Sequence, residues 1–217
     1  MRANLYLLAF LLLIAAPAQA QQYLFARYTP KDGLINSRAR FVYQDSKGRI
    51  YVSTFGGLSV YDGARFTNYT TENGLATSLI NDVVEMGDDS LWIVPNGQAL
   101  HCMVHGVIRN IKTADNYYPV VNQLVRCSDG FFYAIADQGL FRFENNRFIR
   151  LSLKTDSGKE VNGLLQQAVE LNGRLLIVTD ANLSTFPDPG AVLVYDLHTH
   201  RTILSGKSPK FNFLLRT

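Results

Sequence analysis

With 217 residues, 47% of them hydrophobic, the chain is long enough to bury one sizeable core. Lys and Arg number 21 against 18 Asp and Glu, and this near balance excludes a nucleic-acid footprint or an acidic surface as its defining property. No low-complexity run and no Pro/Gly/Ser linker divides it, so it reads as one domain or part of one.

The first twenty residues read as a secretory signal peptide. Arg2 supplies the positive start, Leu5–Ala16 is a short apolar run, and Ala18-Gln19-Ala20 offers small residues for cleavage before Gln21. A retained anchor helix is the alternative, disfavoured by the short run and by Pro17. No later stretch is apolar enough to span a bilayer.

Tyr23–Tyr28 reads as a strand, closed by Thr29-Pro30-Lys31-Asp32-Gly33. A full set of four strands follows over residues 36–70. Arg40–Gln44 leads into the Asp45-Ser46-Lys47-Gly48 turn and the β-rich Ile50–Thr54; Gly56-Gly57 makes a turn into Leu58–Tyr61, and Asp62-Gly63 a second into Arg65–Tyr69. Asp-Gly and Gly-Gly between alternating runs are strong hairpin signals, because tight two-residue turns need positive φ. Thr71-Glu72-Asn73-Gly74 carries the chain onward. A second set spans residues 79–111, with strands at Val83–Met86, Leu91–Val94, Leu100–Val104 and Val107–Ile111. A third spans 121–151. A fourth, looser set over 162–204 has Leu164–Leu171, Leu175–Thr179 and Val192–Tyr195, with a Pro-containing insertion at Ala181–Gly190.

These sets are repeats. Shifting by 82 carries Gly48, Tyr51, Gly57, Leu58, Arg65 and Phe66 onto Gly130, Tyr133, Gly139, Leu140, Arg147 and Phe148; shifting by 41 carries Ile50-Tyr51-Val52 onto Leu91-Trp92-Ile93. The same shift backwards carries Phe66, Tyr69, Gly74 and Leu75 onto Phe25, Tyr28, Gly33 and Leu34. A period of 41 built from short strands is the mark of a β-propeller blade. The expected fold is all-β, a propeller segment of about four blades of four antiparallel strands. By register, 23–28 is the outer strand of a closing blade whose other three strands would have to come from the far end. After residue 204 only Phe211–Leu215 is apolar enough to serve, so an incomplete ring and a fragment of a longer protein are expected. A four-bladed closure with an irregular last blade is the weaker alternative.

Gln44-Asp45-x-x-Gly48-x-Ile50-Tyr51-Val52-x-Thr54-x-x-Gly57-Leu58-x-x-Tyr61-Asp62-Gly63-x-x-Phe66-x-x-Tyr69, followed by Asn73-Gly74-Leu75, resembles the two-component regulator propeller repeat. Tyr51 stands where that repeat usually has Trp. The second blade has the Trp, at Trp92, but loses the Gly-Leu and Tyr-Asp-Gly pieces. The third keeps Gly139-Leu140 with Phe143-Glu144-Asn145, and the fourth only Val194-Tyr195-Asp196. The resemblance implies a periplasmic, ligand-sensing region of a membrane-bound sensor histidine kinase of Bacteroidetes-like bacteria. Such a protein would be anchored in the inner membrane and would relay its signal to a kinase domain outside these residues. The signal peptide, read independently, agrees with export.

Candidate chemistry is sparse. The repeated Gly, Tyr/Phe and Asp-Gly positions read as structural, and Trp92 as core rather than a sugar-stacking platform. His198-Thr199-His200, His101 and His105 lack the three or more ligands of a metal site. Cys102 and Cys127 read as buried, unpaired thiols, although export would permit a disulfide. Asp32, Glu72, Asp82, Asp88, Asp89, Asp137 and Glu144 fall mostly in turns, with no two marked as a catalytic pair. No catalytic residue, metal ligand or cofactor is therefore assigned, and the enzyme question stays open. Binding residues are unassigned; the loops at Pro95–Gln98, Asn116–Tyr118 and Ala181–Gly190 are the candidates by position on a propeller rim. The expected partner is an extracellular ligand, an oligosaccharide among the candidates, or a partner domain, with a homodimer open as well. Nucleic acid is not expected through this region, and membrane contact only through a downstream segment. The alternatives are a secreted propeller polysaccharide hydrolase or lyase, and a non-catalytic interaction propeller.

Overall fold

The computed structural model describes residues 25–87, 90–154, 158, 160–161, 164–179 and 191–207. The expected signal peptide at residues 1–20, the Ala181–Gly190 insertion and Phe211–Leu215 lie outside them.

Sixteen strands form four antiparallel sheets, each in simple sequence order. Blade one holds β1 (Ala39–Gln44), β2 (Ile50–Thr54), β3 (Gly57–Tyr61) and β4 (Phe66–Tyr69). Blade two holds β5 (Ile80–Gly87), β6 (Ser90–Pro95), β7 (His101–Val104) and β8 (Val107–Asn110). Blade three holds β9 (Val121–Arg126), β10 (Phe132–Ala136), β11 (Gly139–Glu144) and β12 (Arg147–Arg150). Blade four holds β13 (Leu165–Leu171), β14 (Arg174–Thr179), β15 (Ala191–Asp196) and β16 (Arg201–Lys207). The sheets stand around a common axis as a propeller, with β1, β5, β9 and β13 innermost.

The core lies between blades rather than inside one, because each sheet has two faces and both are covered. Along β6, Leu91 and Ile93 join Tyr51 and Leu58 of blade one, while Trp92 and Val94 join Phe132 and Phe141 of blade three. Along β10, Phe132 and Ala134 look back to blade two, and Tyr133 and Ile135 look on to Leu175, Ile177 and Tyr195 of blade four. The period-two alternation of a strand thus divides each middle blade between two joints. Among the described residues these three joints carry the blade-to-blade packing, and no comparable one joins blade four to blade one. The incomplete ring expected from the repeats is met.

Polar side chains fix the joints as well. Asn81 donates to the carbonyl of Val121 and Asn122 to that of Leu165, both at 2.8 Å; Asp82 accepts the amide of Leu124 and Gln123 that of Ala168. Each of these residues reaches from one inner strand to the next. Asn81 and Asn122, and the acceptor pair after them, are one period apart.

Two elements differ from expectation. Phe55 and Gly56, not Gly56-Gly57, form the turn between β2 and β3, and Gly57 opens β3. Gly57 is required there for another reason: its φ is 137°, and a Cβ would lie 2.2 Å from the carbonyl oxygen of Tyr69. The second difference is at 25–28, which form no strand. A strand exists only against a hydrogen-bonding neighbour, and sheet one already ends at β4. The register nonetheless holds. Tyr28 packs on Tyr61 and Phe66, with ring centroids 5.0 and 5.6 Å away, and Gly33 lies against Phe66 as Gly74 lies against Ile108. Thr29 and Thr70 open matching 3-10 turns (Pro30–Asp32 and Thr71–Asn73), each closed by a capping box and ended by a left-handed glycine.

Candidate functional site

The concave feature formed by all four blades is the channel between the inner strands. A cavity of about 580 Å3 is lined by Tyr43 and Gln44 of β1, Val84 of β5, Gln123 and Arg126 of β9, and Val169 and Glu170 of β13. It adjoins a second space of about 730 Å3, sharing Tyr43, Val84 and Arg126 and extending to Ser46, Lys47, Glu85 and Gly87. Both volumes suit a small ligand.

Register places the polar groups. Gln44, Glu85 and Arg126 are 41 residues apart, and Glu170 is their counterpart in β13, each pairing with the first core position of the neighbouring strand. The glutamates are held. The Ser46 amide and hydroxyl donate to Glu85 at 3.0 and 2.5 Å, and those of Ser128 donate to Glu170. Each glutamate therefore ties the first turn of one blade to the inner strand of the next. The Glu85 amide donates to the Tyr43 hydroxyl at 3.3 Å. Arg126 lies 5.9 Å over the ring of Phe132, which leaves its guanidinium edge able to donate. The cleft thus offers donors at Arg126 and Lys47, amides at Gln44 and Gln123, and aliphatic walls. That mixture suits a hydroxyl-rich or anionic small molecule. Bound to serines in this way, the two carboxylates position turns.

Strand directions alternate, so the β2–β3 and β4–β5 connections share one rim and the β1–β2 and β3–β4 turns the other. Pro95–Gln98 and Asn116–Tyr118 lie on the first rim, with Tyr118 donating its hydroxyl to Ile111 at 2.8 Å. The cleft reaches the second rim, at Ser46 and Lys47. Neither loop lines it.

Trp92 is buried at the second joint, 4.9 Å from Phe132 and 4.8 Å edge-on from Phe143. Cys102 and Cys127 are free thiols at different joints, and burial pushes both up. No cluster of metal-ligating groups occurs among the described residues. Of the carboxylates, Asp32 caps the first 3-10 turn, Asp82 is buried on Leu124, and Asp137 accepts from Asn122. His101 is fully buried, and its Nε2 accepts the Ala76 amide at 2.9 Å; burial holds its pKa below the ordinary value. Sequence reasoning missed Glu85 and Glu170. Their signal was present, since Ser46 and Ser128 are 82 residues apart with a glutamate on the following inner strand each time.

The arrangement defines a propeller segment with a polar half-channel. No family model and no curated protein matches the sequence. Among solved structures, an extracellular domain described as belonging to a hybrid two-component system of B. thetaiotaomicron is similar at 17% identity and a TM-score of 0.61, over 87% of this chain and 25% of that one. A second such domain from the same organism matches at 14% identity and 0.55, over 81% and 24%. A streptogramin B lyase matches at 15% identity and 0.58, over 79% and 55%, and PorZ, a type-IX secretion component of Porphyromonas gingivalis, at 8% and 0.56, over 88% and 30%. The likeness is one of fold, and the chain spans about a quarter of the length of the sensor-system structures. No helix among the described residues is long and apolar enough to cross a membrane.

Proposed function

We propose that the chain is the extracytoplasmic ligand-sensing propeller region of a two-component sensor histidine kinase, passing its signal to a kinase domain outside these residues. The observation that carries this reading is the joint occurrence of the repeat resemblance and propeller neighbours that are extracellular domains of Bacteroides sensor systems. The half-channel supports it, since a ligand touching four inner strands would bias the angle between blades, which is the geometry a relay needs. The ligand is a small hydroxyl-rich or acidic molecule, an oligosaccharide among the candidates, held by Arg126, Gln44 and Gln123. The test is calorimetric titration of the secreted chain with a panel of neutral and acidic oligosaccharides. One class should bind without turnover, and Arg126→Ala should weaken it about 10- to 100-fold, as expected for a charged hydrogen bond. Chemical conversion of the bound sugar would instead establish the hydrolase or lyase reading, for which the lyase neighbour is the supporting observation.

A further inference from the structure

In blades one and two a side chain of the third strand holds the linker that leads into the blade. The Ile35 amide donates to the Ser59 hydroxyl at 3.1 Å, and the Ala76 amide to Nε2 of His101 at 2.9 Å. Ile35 and Ala76 are one period apart, each following a Gly-Leu pair whose leucine is buried. Ser59 and His101 occupy the same place in their sheets, opposite Val52 and Ile93 of the second strands and opposite Asn68 and Asn110 of the outer ones. In blades three and four that place belongs to Phe141 and Leu193, whose side chains accept nothing.

The two acceptors differ in kind. A hydroxyl keeps a lone pair at any pH, whereas an imidazole accepts only while that nitrogen is bare. His101 is 0% exposed, and with Nε2 taking the Ala76 amide its proton belongs on Nδ1, which makes no hydrogen bond of good geometry. Burial disfavours the charged ring and outweighs the Asn110 side chain, which favours it; no charged group bears on it. The linker Leu75–Leu79 has no ionisable side chain, and Glu72 in the turn before it is exposed. Blade one turns Tyr43, Tyr51 and Tyr69 to this joint, phenols that carry no charge in acid. On blade two, Arg109 pairs with Cys102, which faces blade three. A proton on Nε2 would set one N–H against another and bury an unpaired charge, and release of the linker relieves both.

We propose that His101 is an acid-sensitive latch at the first joint: the neutral ring holds the linker Leu75–Leu79 on blade two, and protonation at Nε2 releases it while the sheets stay folded. The linker carries Leu75 into the joint core and leads directly into β5, so the latch controls how the second inner strand is seated. It does not depend on what the half-channel binds.

The test is hydrogen-exchange mass spectrometry of the chain between neutral and mildly acidic pH, corrected for the intrinsic exchange rate. Opening takes up one proton below the ordinary histidine value of 6.5, so protection of the linker should fall about tenfold per pH unit there, with β9 and β10 unchanged. His101→Gln and His101→Ser, the latter the side chain used in blade one, should remove that slope. A slope that persists in these variants would overturn the proposal, as would loss of protection in all four blades together, which marks global unfolding. Nitrogen-15 resonances of the unaltered protein give a reading that needs no variant: a ring proton on Nε2 at neutral pH would also overturn it.

Discussion

Asp45 shows how a buried charge is kept in a turn. Burial works to raise its pKa, yet the side-chain and backbone bonds from Arg49 and the hydroxyl of Tyr51 outweigh it and hold the carboxyl below its ordinary value. In blade three the equivalent position is Cys127, and the carboxylate has moved to Asp129, which accepts the hydroxyl of Tyr133 at 2.7 Å. The buried tyrosine selects a carboxylate in the turn, but not its place in it. Asp45→Ala should therefore lower stability by about 2–4 kcal/mol, measured by urea unfolding, because four donors lose their acceptor. Its contribution is present above the ordinary carboxylate value of 3.8 and is lost as pH falls through the lower folded value. His101 acts in a higher window. Its folded pKa lies below 6.5, so the unfolded chain binds the proton first and stability declines as pH drops under that value. His101→Gln, which keeps an acceptor for Ala76 but cannot titrate, should flatten the melting temperature between neutral and mildly acidic pH relative to the unaltered chain.

Hairpins were the most legible elements and also the ones read slightly wrongly. Gly56-Gly57 announces a turn, but the chain turns one residue earlier, since the sequence cannot show that Tyr69 will cross over Gly57. Two glycines with positive φ separate these causes. Gly57→Ala brings a Cβ to 2.2 Å from a backbone oxygen, while Gly63→Ala meets nothing within 4 Å. The first should cost about 2–4 kcal/mol and the second about 1, by chemical denaturation. Trp92 was legible as core because it recurs at the Tyr51 position. As the single tryptophan it reports on the second joint by its emission, and Trp92→Ala should destabilise by about 3–5 kcal/mol in the same assay. The channel was less legible. Gln44, Glu85 and Arg126 share a register but not a chemistry, and nothing in a linear pattern shows which rim a cavity opens on. Of the candidate loops, Pro95–Gln98 and Asn116–Tyr118 lie on the rim that strand alternation sets opposite the cleft, away from Ser46 and Lys47.

For the whole molecule, stability follows from joints counted along a line. Blades two and three each own two joints; blades one and four each own one among the described residues. In arrays of this kind the ends open first. Amide exchange in β2 should therefore be faster than in β6, although both are second strands of equal kind, which hydrogen-exchange mass spectrometry can follow.

The matching turns after Thr29 and Thr70 carry a consequence for descent. Each sits just before an inner strand, with its glycine against the outer strand of the blade that follows. A gene segment excised or copied between those two points spans one period and brings with it a blade, the linker that seats it and both of the faces it needs. Unequal recombination can then add or drop a blade without passing through a product that has an unmatched interface in its middle. Ring size in such a lineage is free to drift, while the residues at each seam are not.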